Sequence, residues 1–89
     1  MESLRNLKQE FYSCNILSVE VEHNGFRGGD SGHGGYVKIK FKDLGCTHME
    51  LNDNVVDEFD FTFKGNTERE TLVEALKYVI KELEEHRYI

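Results

Sequence analysis

Apolar and polar residues alternate with a period of two in four separate stretches of this chain, a pattern that half-buried β-strands satisfy and helices do not. From Ile16 to Glu22, Leu17, Val19 and Val21 take one side while Ser18, Glu20 and Glu22 take the other. From Tyr36 to Lys42, Val37, Ile39 and Phe41 alternate with Lys38, Lys40 and Lys42, so outward lysines are placed to pair across strands with Glu20 and Glu22. Cys46 to Leu51 sets Thr47, Met49 and Leu51 against Cys46, His48 and Glu50, and Asn52-Asp53-Asn54 then turns the chain. Phe59, Phe61 and Phe63 alternate with Asp60 and Thr62 in the fourth stretch.

The period changes after Gly65-Asn66. Leu72, Val73, Leu76, Val79, Ile80 and Leu83 form one broad stripe at helical spacing, and Thr67 with Glu70 reads as a capping box. At the other end, Leu4, Leu7 and Phe11 recur at spacings of three and four, which predicts a short helix over Glu2 to Tyr12 with Ser3 as its cap. The predicted fold is α+β in the order αββββα: a four-stranded antiparallel meander with the N- and C-terminal helices packed on one face. With 89 residues, positions 1–89 are expected to form one domain whose small core gains from a metal or a partner chain.

Charge narrows the function. Eleven Lys and Arg against 17 Asp and Glu give a net charge of -6, which opposes direct binding of a phosphate backbone and favours a basic protein surface. No apolar run is long enough for a membrane span or a secretion signal, so the expected location is the cytoplasm. Cys14 and Cys46 then read as thiols or metal ligands sooner than as a disulfide.

Six of the eight glycines, at positions 25, 28, 29, 32, 34 and 35, crowd the segment between the first two alternating stretches. Ordering them costs entropy, so the loop is either mobile or held by something bound. Gly29-Asp30-Ser31-Gly32 matches the tetrapeptide around a trypsin-like serine, but only His23 precedes Ser31 and the chain is far too short for that double barrel. A phosphate-binding loop is excluded because no Gly-Lys-Ser/Thr and no helix follows. His23, Asp30 and His33 are a good ligand set for a structural zinc, completed by Cys46 or His48 if the loop lies across the polar face, or by a neighbouring chain of a homodimer. Cys14, Cys46 and His48 read as a second ligand set at the far end of the sheet or, by preference, Cys14 as a small core filler and His48 as a solvated sheet residue.

A chain this short has little room for a deep pocket, so the sequence points to a non-enzymatic binding protein. Asp53, Asp57, Glu58 and Asp60 are the candidate partner-binding residues, with Glu82, Glu84 and Glu85 either extending that acidic surface or forming a solvated helix face. The whole-chain profile, under a hundred residues, acidic, free of proline and rich in Asn, Asp and Glu, resembles the small phage-encoded anti-CRISPR inhibitors. That resemblance implies a stoichiometric inhibitor, acting in the cytoplasm of the infected bacterial host, that binds an RNA-guided CRISPR nuclease and blocks its DNA loading. The alternative is a sponge for a nucleotide signal, gripped by the Gly-rich loop.

Overall fold

The computed structural model describes residues 5–24 and 35–86. Strands β1 (Arg5–Tyr12), β2 (Ile16–His23), β3 (Tyr36–Gly45), β4 (Met49–Leu51), β5 (Asn54–Val56) and β6 (Glu58–Lys64) precede the helix α1 (Asn66–Glu85). The main sheet is antiparallel in the order β1-β2-β3-β6, and β4 and β5 pair with each other in a separate two-stranded sheet. The αββββα prediction is thereby overturned, because β1 takes the described part of the predicted Glu2 to Tyr12 helix, whose Glu2, Ser3 and Leu4 lie outside the described residues.

The N-terminal correction has a simple cause. A spacing of four, as between Leu7 and Phe11, fits both a helical turn and two strand repeats, so those residues alone do not choose between the periods. Pairing chooses: Leu7 stands opposite Val21 and Phe11 opposite Leu17, joining the apolar face of the hairpin.

A second correction concerns Cys46 to Leu51, predicted as an inner strand of the meander. Asp43 interrupts it: its Oδ1 accepts the backbone N–H groups of Gly45 at 2.8 Å and Thr47 at 3.0 Å, and Cys46 takes a left-handed φ of 61°. A carboxylate that captures nearby N–H groups offers the backbone a turn in place of a ladder. The chain leaves the sheet there, forms the β4–β5 hairpin across Asn52 and Asp53 with φ of 53° and 68°, and returns as β6. Two consecutive positive φ values are the signature of a type I′ hairpin turn, for which Asn and Asp are suited. The Asp43 N–H donates to the Asp57 carbonyl at 2.7 Å and closes the base of this excursion. With the hairpin excised, β6 pairs directly with β3, setting Ile39 opposite Phe61 and Phe41 opposite Phe59.

The two faces of the sheet follow from these registers. One carries Leu7, Phe11, Val19, Val21, Val37, Ile39, Phe41 and the three β6 phenylalanines; the other carries Glu20 and Glu22 directly opposite Lys40 and Lys38. Helix α1 lies over β3 and β6 on the apolar face, where Leu72 joins Val37 and Ile39 in the buried core and Val19, Val21, Phe41, Phe61 and Phe63 pack around them. Of the predicted stripe only Leu72 is buried, since Val73, Leu76, Val79, Ile80 and Leu83 stay exposed.

The helix start also differs from the predicted capping box. Gly65 is the N-cap, with φ 112° and ψ 153°, and no side chain caps the first turn. Thr67 lies inside the helix, so it is not placed to cap it. Gly65 instead donates its N–H to the Gly35 carbonyl at 2.6 Å and accepts from the Arg69 N–H at 3.0 Å, tying the helix start to the head of β3. That backbone conformation is open to glycine and strained for other residues.

Core truncation tests this arrangement. Ile39→Ala and Leu72→Ala are each expected to cost about 2–5 kcal/mol, enough to unfold a domain whose total stability is of the order of 5 kcal/mol. Urea unfolding of either variant with a wild-type midpoint would place the core elsewhere.

Candidate functional site

The acidic residues singled out in the sequence divide between two places. Asp53 occupies the turn of the β4–β5 hairpin and Asp57 its base, both exposed. Glu58 and Asp60 belong to β6 and point to the lysine-bearing face, where Glu58 pairs with Lys40 at 3.3 Å and Asp60 stands opposite Lys40 in register. The hairpin acids are thus set apart from those that neighbouring lysines offset.

Around the hairpin, apolar and acidic groups lie side by side. Leu51 and Val55 are exposed between Glu50, Asp53 and Asp57. At its base lies a surface pocket of about 300 Å³ lined by Asp43, Cys46, Thr47, His48, Val55, Val56 and Asp57. Its polar groups already serve the fold: Asp43 Oδ1 accepts two backbone N–H groups, and His48 Nε2 lies 2.7 Å from Glu50 Oε2.

The histidine and cysteine candidates fall at opposite ends of the sheet. Cys14 and Cys46 are free and exposed. Their turns are stitched together, because Asn15 Nδ2 donates to Thr47 Oγ1 at 2.9 Å and Thr47 Oγ1 donates to the Ile16 carbonyl at 3.0 Å. His23 ends β2 seven residues beyond Ile16, roughly 24 Å along the strand, so the structure does not bring it to Cys46 or His48. Its Nδ1 lies 3.4 Å from Arg69 Nη1, and burial, followed by the charges of Arg69 and Arg5, holds the imidazole below its ordinary titration range. Asp30 and His33 lie outside the described residues. Among the described residues, no three His, Cys, Asp or Glu side chains are grouped to hold a metal ion.

The polar face is an ordered lattice. Lys8, Glu20, Lys40 and Asp60 alternate in sign across all four strands, as Glu22 and Lys38 do in the neighbouring row. Asn6 Nδ2 donates to Glu20 at 2.8 Å and to Glu22 at 3.2 Å, and the Tyr36 hydroxyl donates to Glu22 Oε2 at 2.6 Å. The Tyr36 bond is the main cause, with Asn6 and Lys38 adding to it against an opposing effect of burial, that holds the Glu22 carboxyl below its ordinary range. The expected pairing of the β3 lysines with Glu20 and Glu22 is present, as Lys40 and Lys38, and its extension to Lys8 and Asp60 depends on the β1 and β6 registers, which the residues alone do not show.

A depressed carboxyl contributes stability above its unfolded value of 4.5, and that contribution is lost as pH falls through the lower folded value. Tyr36→Phe is therefore expected to move the Glu22 titration upward and to flatten the loss of stability below pH 4.5. Carbon NMR of the Glu22 carboxyl reads the first effect and urea midpoints across pH the second; an unmoved titration would show that the hydroxyl does not bind Glu22 in solution. Compared with known proteins, the chain matches no family model, no curated protein and no solved structure.

Proposed function

We propose that this chain is a non-enzymatic binding protein that docks its β4–β5 hairpin against a basic protein surface, and that its action on the partner is stoichiometric inhibition. The observation that carries this reading is the hairpin itself, held outside the main sheet by Asp43 and presenting Leu51 and Val55 among Glu50, Asp53 and Asp57. Apolar anchors ringed by charge of one sign combine the contact that gives residence time with the field that gives orientation and on-rate. Asp53 and Asp57 are its leading charges, with Glu58 and Asp60 at the margin because Lys40 lies beside them.

The partner class implied by the resemblance to phage anti-CRISPR inhibitors is an RNA-guided nuclease, whose nucleic-acid channel is positively charged. An acidic hairpin is complementary to such a channel. The zinc reading rests on His23 with Asp30 and His33: elemental analysis of untagged protein that returns one zinc per chain supports it, and folded, metal-free protein removes it.

Inhibition of target-DNA cleavage by purified RNA-guided nuclease complexes, titrated with this protein over a salt series, tests the proposal. Wild type is expected to inhibit near stoichiometry and to weaken as salt rises. Asp53→Lys with Asp57→Lys is expected to weaken inhibition at least tenfold and flatten its salt dependence while leaving the melting temperature within a few degrees of wild type. Inhibition unchanged in a folded double variant would move the docking surface off the hairpin. A melting shift with a nucleotide and inhibition of no nuclease would support the sponge reading instead.

A further inference from the structure

We infer that the chain functions as a two-fold dimer in which the α1 helices pack antiparallel and each covers the apolar half-sheet that the other chain leaves open. This inference is independent of the hairpin reading.

The first ground is coverage. Four strands spaced about 4.8 Å apart make a face roughly 19 Å wide including the outer strands, which takes two helices of about 10 Å diameter. The described chain supplies one, and it sits over β3 and β6. On β1, Leu7 and Phe11 are left half exposed at 47% and 50%. Between helix and open half-sheet runs a groove of about 200 Å³, with Val21, His23, Val37 and Ile39 among its lining and Val73 and Leu76 on its helical side.

The helix shows a matching deficit. Along its stripe Leu72 is 7% exposed, whereas Val73 at 42%, Leu76 at 39%, Val79 at 47%, Ile80 at 54% and Leu83 at 69% all meet solvent. The stripe therefore loses its cover directly after Leu72. Yet Leu72, Leu76, Val79 and Leu83 follow spacings of four, three and four, the heptad seam of paired helices, with Val73 and Ile80 flanking it. Such a seam is made for another helix, and this chain has one to offer.

Orientation follows from charge. Arg5, His23 and Arg69 gather at the end of the groove where α1 starts, and Glu82, Glu84 and Glu85 occupy the other end of α1. Antiparallel pairing about a two-fold axis between Lys77 and Tyr78 sets Leu76 opposite Val79 and Leu72 opposite Leu83. It also carries Glu82, Glu84 and Glu85 toward the Arg5, His23 and Arg69 cluster of the other chain and sets Lys81 opposite Glu74, with Glu70 and Glu85 the one like-charged pair and the helix dipoles opposed.

Area agrees. Leu7, Phe11, Val73, Leu76, Val79, Ile80 and Leu83 each leave on the order of 100 Å² of side chain in water, roughly 700 Å² together, close to the ~800 Å² per partner of a standard stable interface.

Analytical ultracentrifugation of the untagged full chain from about 1 to 100 μM, with melting followed over the same range, tests the inference. A dimer of twice 10.4 kDa and a melting temperature that rises with concentration are expected. Ile80→Glu with Leu83→Glu should weaken association by about 100-fold or more, whereas Tyr78→Ser, on the opposite side of the helix, should leave it intact. Because Ile80 and Leu83 are exposed in the single chain, a monomer would tolerate their replacement, so a melting loss in the double variant is itself a dimer signature. Wild type sedimenting at 10.4 kDa throughout, with a concentration-independent melt, would overturn the inference.

Discussion

Leu72 is the side chain through which helix and sheet hold together. It is the buried residue of α1, and its partners in the core are Val37 and Ile39 on the central strand β3. Fully burying an aliphatic side chain contributes about 1.5–3 kcal/mol, so a core of three such residues is thin for a chain that must order both a sheet and a 20-residue helix. The backbone bond from Gly65 to Gly35 supports this contact by fixing the first helical turn above the head of β3, so that Leu72 arrives over Val37 and Ile39 rather than beside them. Beyond Leu72 the apolar stripe of the helix is largely exposed, and helical stability in proteins comes mainly from packing of such a face. The exposed stripe beyond Leu72 is thus the apolar surface on which the inferred dimer rests.

Asp43 has the corresponding role at the opposite end. By taking two backbone N–H groups into its carboxylate and donating its own N–H to Asp57, it stops β3 and fixes where the hairpin departs and where β6 begins. The start of β6 decides which phenylalanines face Val37, Ile39 and Phe41, because a one-residue slip would turn every side chain to the other face. One short acidic residue therefore couples the register of the core to the projection of the hairpin, the two features that separate this fold from a simple meander.

Much of this was legible in the residues, and what was not has identifiable causes. The β2, β3 and β6 alternations and the helical stripe are long enough for their periods to be unambiguous, and Asn52-Asp53 announces its own turn. At the N-terminus Leu7 and Phe11 suit both periods, and only the opposing residues of β2 decide for a strand. Cys46 to Leu51 alternates as a strand should, but alternation does not say which strand is the neighbour, and a side-chain-to-backbone contact at Asp43 settled that. The acidic quartet could be picked out by type; that Asp53 and Asp57 stand on the hairpin while Glu58 and Asp60 face lysines needed the β3–β6 register. Of the zinc ligands considered, Asp30 and His33 fall outside the described residues, while His23 and the Cys46–His48 pair are divided by the length of β2.

The two surfaces have compatible geometry. Packing the open half-sheets and helices against each other uses the apolar face alone, leaving the charged lattice on the outside of each chain, while β4 and β5 belong to a separate two-stranded sheet. A symmetric pair of the kind inferred then presents two copies of the hairpin proposed to dock. When both engage one partner, or a partner that is itself paired, the second contact forms at an effective concentration fixed by the dimer rather than by the solution, and avidity can exceed single-site affinity by about 10²–10⁴. For an acidic hairpin with few anchors, that gain matters more than it would for a large interface. The same hydrophobic deficit that leaves one chain with a thin core would thereby join stability to binding strength, since dissociation of the dimer would weaken both.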